Sequence, residues 1–124
     1  MAAKILLVED EPYNRQMVSG WLRNHEYEVT EAKDGSEALD ELGKRRFDLV
    51  ISDLVLPQIH GFDLVDEIHS RWPNTLVLMV SGYLSPDSAA KILDGMAEFL
   101  QKPFERQSLL AKVERLLPGN TVAH

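Results

Sequence analysis

No cysteine occurs anywhere in the chain, which excludes disulfides, thiolate metal sites and thiol nucleophiles together. Basic residues are also scarce, 13 lysines and arginines against 20 acids, giving a net charge of −7. Such a surface repels a phosphate backbone rather than neutralising it, so no direct nucleic-acid partner is expected. No apolar run approaches the roughly 20 residues of a membrane span, and Met1-Ala2-Ala3-Lys4 leads into a strand without a signal-peptide pattern. The expectation is a cytoplasmic protein that does not insert into a membrane. Linkers, low-complexity tracts and internal repeats are missing too. What is there, 124 residues of which 44% are hydrophobic and 27% charged, describes one soluble globular domain with a single core.

Ile5-Leu6-Leu7-Val8, Leu49-Val50-Ile51-Ser52 and Leu76-Val77-Leu78-Met79-Val80 are apolar runs without polar alternation. Strands of that kind are buried on both faces, which points to a parallel sheet covered by helices. Tyr27 to Ala32 reads as a more polar edge strand, and Ala97 to Leu100 as a short fifth one. Helical spacing fills the gaps. Tyr13, Met17, Val18, Trp21 and Leu22 follow Pro12, which suits a first helical turn. Asp34 caps a second helix with Glu37 as its box partner, and Ala38, Leu39 and Leu42 form its stripe. Lys44-Arg45-Arg46 complements the negative end of that helix. Gly61 opens a third, with Phe62, Val65 and Ile68 on one face, and Ser85-Pro86 starts a fourth that Gly95 ends. The last carries Leu109, Leu110, Val113, Leu116 and Leu117. Strand then helix, five times over, predicts a single five-stranded parallel α/β sheet with five helices on both faces. One domain would span residues 1–124, with its core at 4–117 and a frayed tail at 118–124.

The residues that end the strands carry the chemistry. Glu9 and Asp10 follow the first strand, Asp53 the third, Ser81 the fourth and Lys102 the fifth. In a parallel sheet these ends share one edge, where open α/β sheets bind their ligands. Three neighbouring carboxylates repel one another and raise one another's pKa values. A hard divalent cation relieves that repulsion, and this donor set suits Mg²⁺, or Mn²⁺ in its place. A metal, an amine and a hydroxyl around one carboxylate are also what a transferring phosphoryl group needs.

Four motifs, in order and each at a strand end, make the chain resemble a response-regulator receiver domain of two-component or phosphorelay signalling. They are Leu7-Val8-Glu9-Asp10-Glu11-Pro12, Asp53-Leu54-Val55-Leu56-Pro57 with Gly61, Ser81-Gly82, and Phe99-Leu100-Gln101-Lys102-Pro103-Phe104. The resemblance implies a flavodoxin-like strand order 2-1-3-4-5, and it covers residues 4–117. It also implies that Asp53 accepts a phosphoryl group from a histidine kinase or a histidine phosphotransfer protein. Asp10 would bind Mg²⁺ directly and Glu9 through water, with the Val55 backbone carbonyl completing the set. Ser81 and Lys102 would bind phosphoryl oxygens, and Pro103 would follow a cis peptide that aims the lysine. Phe99 matches an aromatic switch position coupled to Ser81. The face formed by the fourth helix, fifth strand and fifth helix would then change for a downstream protein or a covalently linked domain. Such a domain is not an enzyme beyond catalysing its own phosphorylation and dephosphorylation. The wording around Ser81 and Lys102 resembles receivers attached to hybrid histidine kinases.

The chain departs from the family's pattern at Gln58 and His60, where glycine and an acidic or amide residue are usual, and at Phe99, which lacks the commoner tyrosine hydroxyl. Tyr83 is large for a position beside the path of the hydrolytic water, so it is expected to slow loss of the acyl phosphate; an unchanged phosphate lifetime in Tyr83→Ala would refute this. A degenerate receiver acting only as an interaction module is the alternative. A phosphatase of the haloacid-dehalogenase type would need a second acid where Val55 stands. A flavodoxin-like cofactor carrier would need a phosphate loop where Glu9-Asp10-Glu11 stands.

Overall fold

Five strands and four helices lie within residues 2–57, 59, 61–82, 95 and 97–118, those described by the computed structural model. In order they are β1 (Lys4–Val8), α1 (Pro12–Asn24), β2 (Glu28–Ala32), α2 (Gly35–Lys44), β3 (Leu49–Asp53), α3 (Gly61–Arg71), β4 (Leu76–Ser81), β5 (Glu98–Gln101) and α4 (Arg106–Leu116). All strand pairings are parallel, and the sheet order is β2-β1-β3-β4-β5. Five helices are expected from the sequence and four are found among the described residues. The predicted fourth, starting at Ser85, falls at 85–94, outside them.

The absence of polar alternation follows from the pleat, because successive side chains enter different cores. Leu6, Val8, Val50, Val77 and Met79 pack with Ala38 and Leu42 of α2 and with Leu64, Val65 and Ile68 of α3. Ile5, Leu7, Leu49, Ile51, Leu78 and Val80 pack on the other face with Val18 and Leu22 of α1 and Leu109 and Val113 of α4. Each fully buried aliphatic side chain contributes about 1.5–3 kcal/mol, so the two cores fix the register of every strand. His25 and Glu114 add a 2.5 Å contact between the end of α1 and α4.

Side-chain caps mark where α1 and α2 begin. Asp34 accepts the Glu37 N–H at 2.8 Å, but Glu37 returns its carboxylate to the Lys33 N–H at 3.1 Å, one residue beyond the N-cap N–H of the expected box. Glu11 caps α1 by accepting from Tyr13 N at 3.1 Å and Asn14 N at 2.6 Å, which leaves Pro12 in the first turn. The expected apolar stripe on α1 loses its first member. Tyr13 is 72% exposed, because the first turn of α1 rises beyond the end of β1, where no sheet lies beneath it.

Candidate functional site

The carboxyl edge of the sheet collects the residues that end β1, β3, β4 and β5. Asp53 is the last residue of β3 and pairs in register with Val80, one residue before Ser81. One oxygen from each of Glu9, Asp10 and Asp53 lies within 4.8 Å of the others. Lys102 enters from beyond β5, its backbone N–H donating to Ser81 O at 2.7 Å. Its ammonium reaches Asp53 Oδ2 at 2.6 Å and Glu9 Oε1 at 3.4 Å. The Lys102–Pro103 peptide bond is cis.

Both oxygens of Asp53 are therefore held, since Oδ1 accepts the Val55 N–H at 3.1 Å. Val55 itself is 70% exposed, between buried Leu54 and Leu56. Glu9 is only 6% exposed; its Oε2 accepts the Glu11 N–H at 3.1 Å. Burial pushes the Glu9 carboxyl above its ordinary value, while the Glu11 N–H and Lys102 pull it down. The neighbouring Asp53 charge and a hydrogen bond with Asp10 add to the rise. For Lys102, burial disfavours the ammonium, but hydrogen bonding to Asp53 and then the charges of Asp53 and Glu9 outweigh it. Its pKa is held above the ordinary lysine value. One ammonium thus contacts two of the three clustered acids, Asp53 and Glu9, and the surplus negative charge is what a small divalent cation would neutralise.

Ser81 is buried at the end of β4 and pairs in register with Gln101. Phe99 lies opposite Met79 on the same pair of strands, half-buried against the core under α2 and α3. Two registers apart on neighbouring strands, Ser81 and Phe99 share one face of the sheet. Tyr83, Gln58 and His60 lie outside the described residues.

Two residues at the site have no counterpart among the sequence-based candidates. Arg15 Nη1 donates to Glu9 O at 2.8 Å, and its Nε pairs with Glu31 at 3.5 Å, so a helix side chain braces the end of β1. Nothing in residue spacing signals a long side chain turning back to a carbonyl. Glu11 was legible in principle, as an acid directly before a proline that opens a helix. Beside Lys102 a hollow of about 410 Å³ opens between α1 and the segment after β5, with Met17, Val18 and Phe104 in its wall.

The family model of the response regulator receiver domain matches residues 5–114. Response regulator protein FleR of Pseudomonas aeruginosa is 38% identical over 125 residues, covering 97% of this chain and 26% of FleR. The chain thus spans about a quarter of the length of that relative, and likewise 26% of nitrogen assimilation regulatory protein NtrX of Azorhizobium caulinodans, which is 36% identical over 94% of this chain. Among solved structures, chemotaxis protein CheY4 of Vibrio cholerae superposes with a TM-score of 0.87 at 38% identity, covering 94% of this chain and all (100%) of that one. The strand order, the carboxylate cluster with its lysine and the match over nearly the whole chain agree: this chain belongs to the response-regulator receiver domain family.

Proposed function

We propose that the domain is a phosphorylation switch in which Asp53 accepts a phosphoryl group from a phosphohistidine, carried by a histidine kinase or a histidine phosphotransfer protein. The observation that carries this reading is Lys102 bridging Asp53 and Glu9 beside Asp10, a half-buried acid cluster short of positive charge. Asp10, Glu9, Asp53 and the Val55 carbonyl would hold Mg²⁺. Bound there, the cation would neutralise the acids and the charge on the transferring group.

The remaining work belongs to the chain's own groups. The Val55 N–H and Lys102 fix the Asp53 carboxylate before the donor arrives, which removes rotamer freedom from the attack. An Asp53 oxygen forms the new P–O bond as the P–N bond to imidazole breaks, and the released ring nitrogen takes a proton from solvent. Lys102, already 2.6 Å from Asp53, moves its ammonium to a phosphoryl oxygen, with the Ser81 hydroxyl as a second donor. Ser81 and Phe99 share a sheet face, so drawing Ser81 towards the phosphoryl group makes room for the Phe99 ring to move. That change would pass to the face around β5 and α4, for a downstream protein or linked domain. The hollow beside Lys102, with Met17, Val18 and Phe104 in its wall, offers the donor protein apolar contact near the acid cluster.

Intact mass after incubation with acetyl phosphate tests the reading. A single phosphate adduct is expected with Mg²⁺ and not without it, and none on Asp53→Asn. An adduct that survives Asp53→Asn would refute Asp53 as acceptor. No adduct on wild type, together with no binding of beryllofluoride and Mg²⁺, would favour a degenerate receiver.

A further inference from the structure

Gly35 opens α2 directly after its cap Asp34. A β-carbon at this position would lie 1.7 Å from Ile59 Cγ2, 3.2 Å from Ile59 Cβ and 3.9 Å from Leu56 Cδ1. Real β-carbons do not approach other atoms at the first of those distances, so any side chain at 35 must displace Ile59. Backbone freedom is not the reason for glycine here, because Gly35 is helical and helix propensity favours alanine. The glycine makes space for one isoleucine.

Ile59 lies on the segment that follows Asp53. Leu54 and Leu56 of that segment are buried, Ile59 packs against the same core under α2 and α3, and Val55 between the two leucines points outward. Leu54 N–H ties the start of the segment to Val80 O at 2.9 Å. Ile59, seated on the bare face of Gly35, ties it further along. Between these ties stands Val55, whose N–H holds Asp53 Oδ1 at 3.1 Å.

We propose that the Gly35–Ile59 contact positions the acid site: it fixes the course of the chain after β3, and through Val55 it presents the site to a divalent cation. Gly35 and Ile59 are positioning residues, neither touching the cation nor the phosphoryl group. The inference rests on the reading of the acid cluster as a Mg²⁺ site.

Calorimetric titration with Mg²⁺, beside Mg²⁺-free unfolding curves, tests it on wild type, Gly35→Ala, Ile59→Ala, Ile59→Val and the Gly35→Ala/Ile59→Ala pair. Gly35→Ala is expected to weaken Mg²⁺ about tenfold, as loss of outer support does at metal sites. Ile59→Ala should weaken it similarly, and the double variant no further, since alanine at 59 leaves no Cγ2 to be displaced. Ile59→Val keeps Cγ2 and should bind as wild type does. Wild-type Mg²⁺ affinity in Gly35→Ala or Ile59→Ala, even with lowered stability, would overturn the proposal, as would losses that simply add. Should Gly35→Ala not fold, the two Ile59 variants decide the matter by themselves. A wild-type protein that binds no Mg²⁺ would instead overturn the cation reading, and this inference with it.

Discussion

Strand β3 has an aspartate at each end, and the two live differently. Asp48, just before the strand, accepts the Lys4 N–H at 2.8 Å and faces exposed Arg46 at 3.7 Å, while its backbone bonds to Lys4 and Leu76. Its side chain is 35% exposed and open to solvent. Asp53, at the other end, is 14% exposed, must share its ammonium with Glu9, and stands within reach of a third acid. The first carboxylate is satisfied by partners that hold strands together. The second is crowded with its own kind and short of positive charge. Residue type does not separate them; the edge of the sheet does, because only the carboxyl edge gathers the ends of β1, β3, β4 and β5.

The largest effect expected is on phosphate acceptance. Asp53→Asn should abolish the Mg²⁺-dependent adduct, whereas Asp48→Asn should accept phosphate at the wild-type rate; a stalled Asp48→Asn would break the contrast. Next comes the cation. Asp10→Asn should weaken Mg²⁺ by about 100-fold or more, at the top of what even outer-shell losses cause, and calorimetry should find Asp48→Asn unchanged. Removing the shared ammonium is smaller in energy. Lys102→Met leaves Glu9 and Asp53 without it, and the Mg²⁺-free stability read from urea unfolding should fall by about 1–3 kcal/mol. Saturating Mg²⁺ should recover part of that loss.

The pH dependence sharpens the contrast further. Glu9 and Lys102 both have folded-state pKa values above their ordinary ones, so the native state holds these protons more tightly than the unfolded chain does. The Glu9 contribution is full below its ordinary value of 4.5 and is lost as pH rises through the higher folded value. The Lys102 contribution is full below 10.5 and is lost as pH climbs through a value above that. The Mg²⁺-free unfolding free energy of Glu9→Gln, read from urea curves, should therefore gain on wild type between acid and neutral pH, by at most about 1.4 kcal/mol for each tenfold by which folding tightens the hold on the Glu9 proton. A difference that stays flat with pH would contradict the burial argument. The smallest effect belongs to Asp48→Asn, which keeps a side-chain oxygen for the Lys4 N–H and removes only the charge facing exposed Arg46, at about 0–1 kcal/mol of stability, with no change on adding Mg²⁺ beyond that of wild type.

The two ends of β3 were not equally legible. Asp53, Glu9, Asp10, Ser81 and Lys102 stand out in the sequence because each interrupts an apolar run, and a parallel sheet turns such interruptions into neighbours. The same logic made the strands readable, since burial on both faces removes polar alternation. Tyr13 misled because helical spacing tells which residues align and not how far the sheet extends beneath them. Arg15 and the Gly35–Ile59 contact were hidden for a different reason. Both depend on where a side chain or loop ends in space, and no local propensity encodes that.

Reduction of the phosphorylated protein with borohydride, followed by peptide mass mapping, tests the central claim most directly, because it converts an acyl phosphate on aspartate into homoserine at the acceptor position. Conversion is expected at position 53 alone, only with Mg²⁺, and not at position 48. Conversion at Asp48 or Asp10, spread over several acids, or equal with Mg²⁺ withheld, would contradict Asp53 as the acceptor.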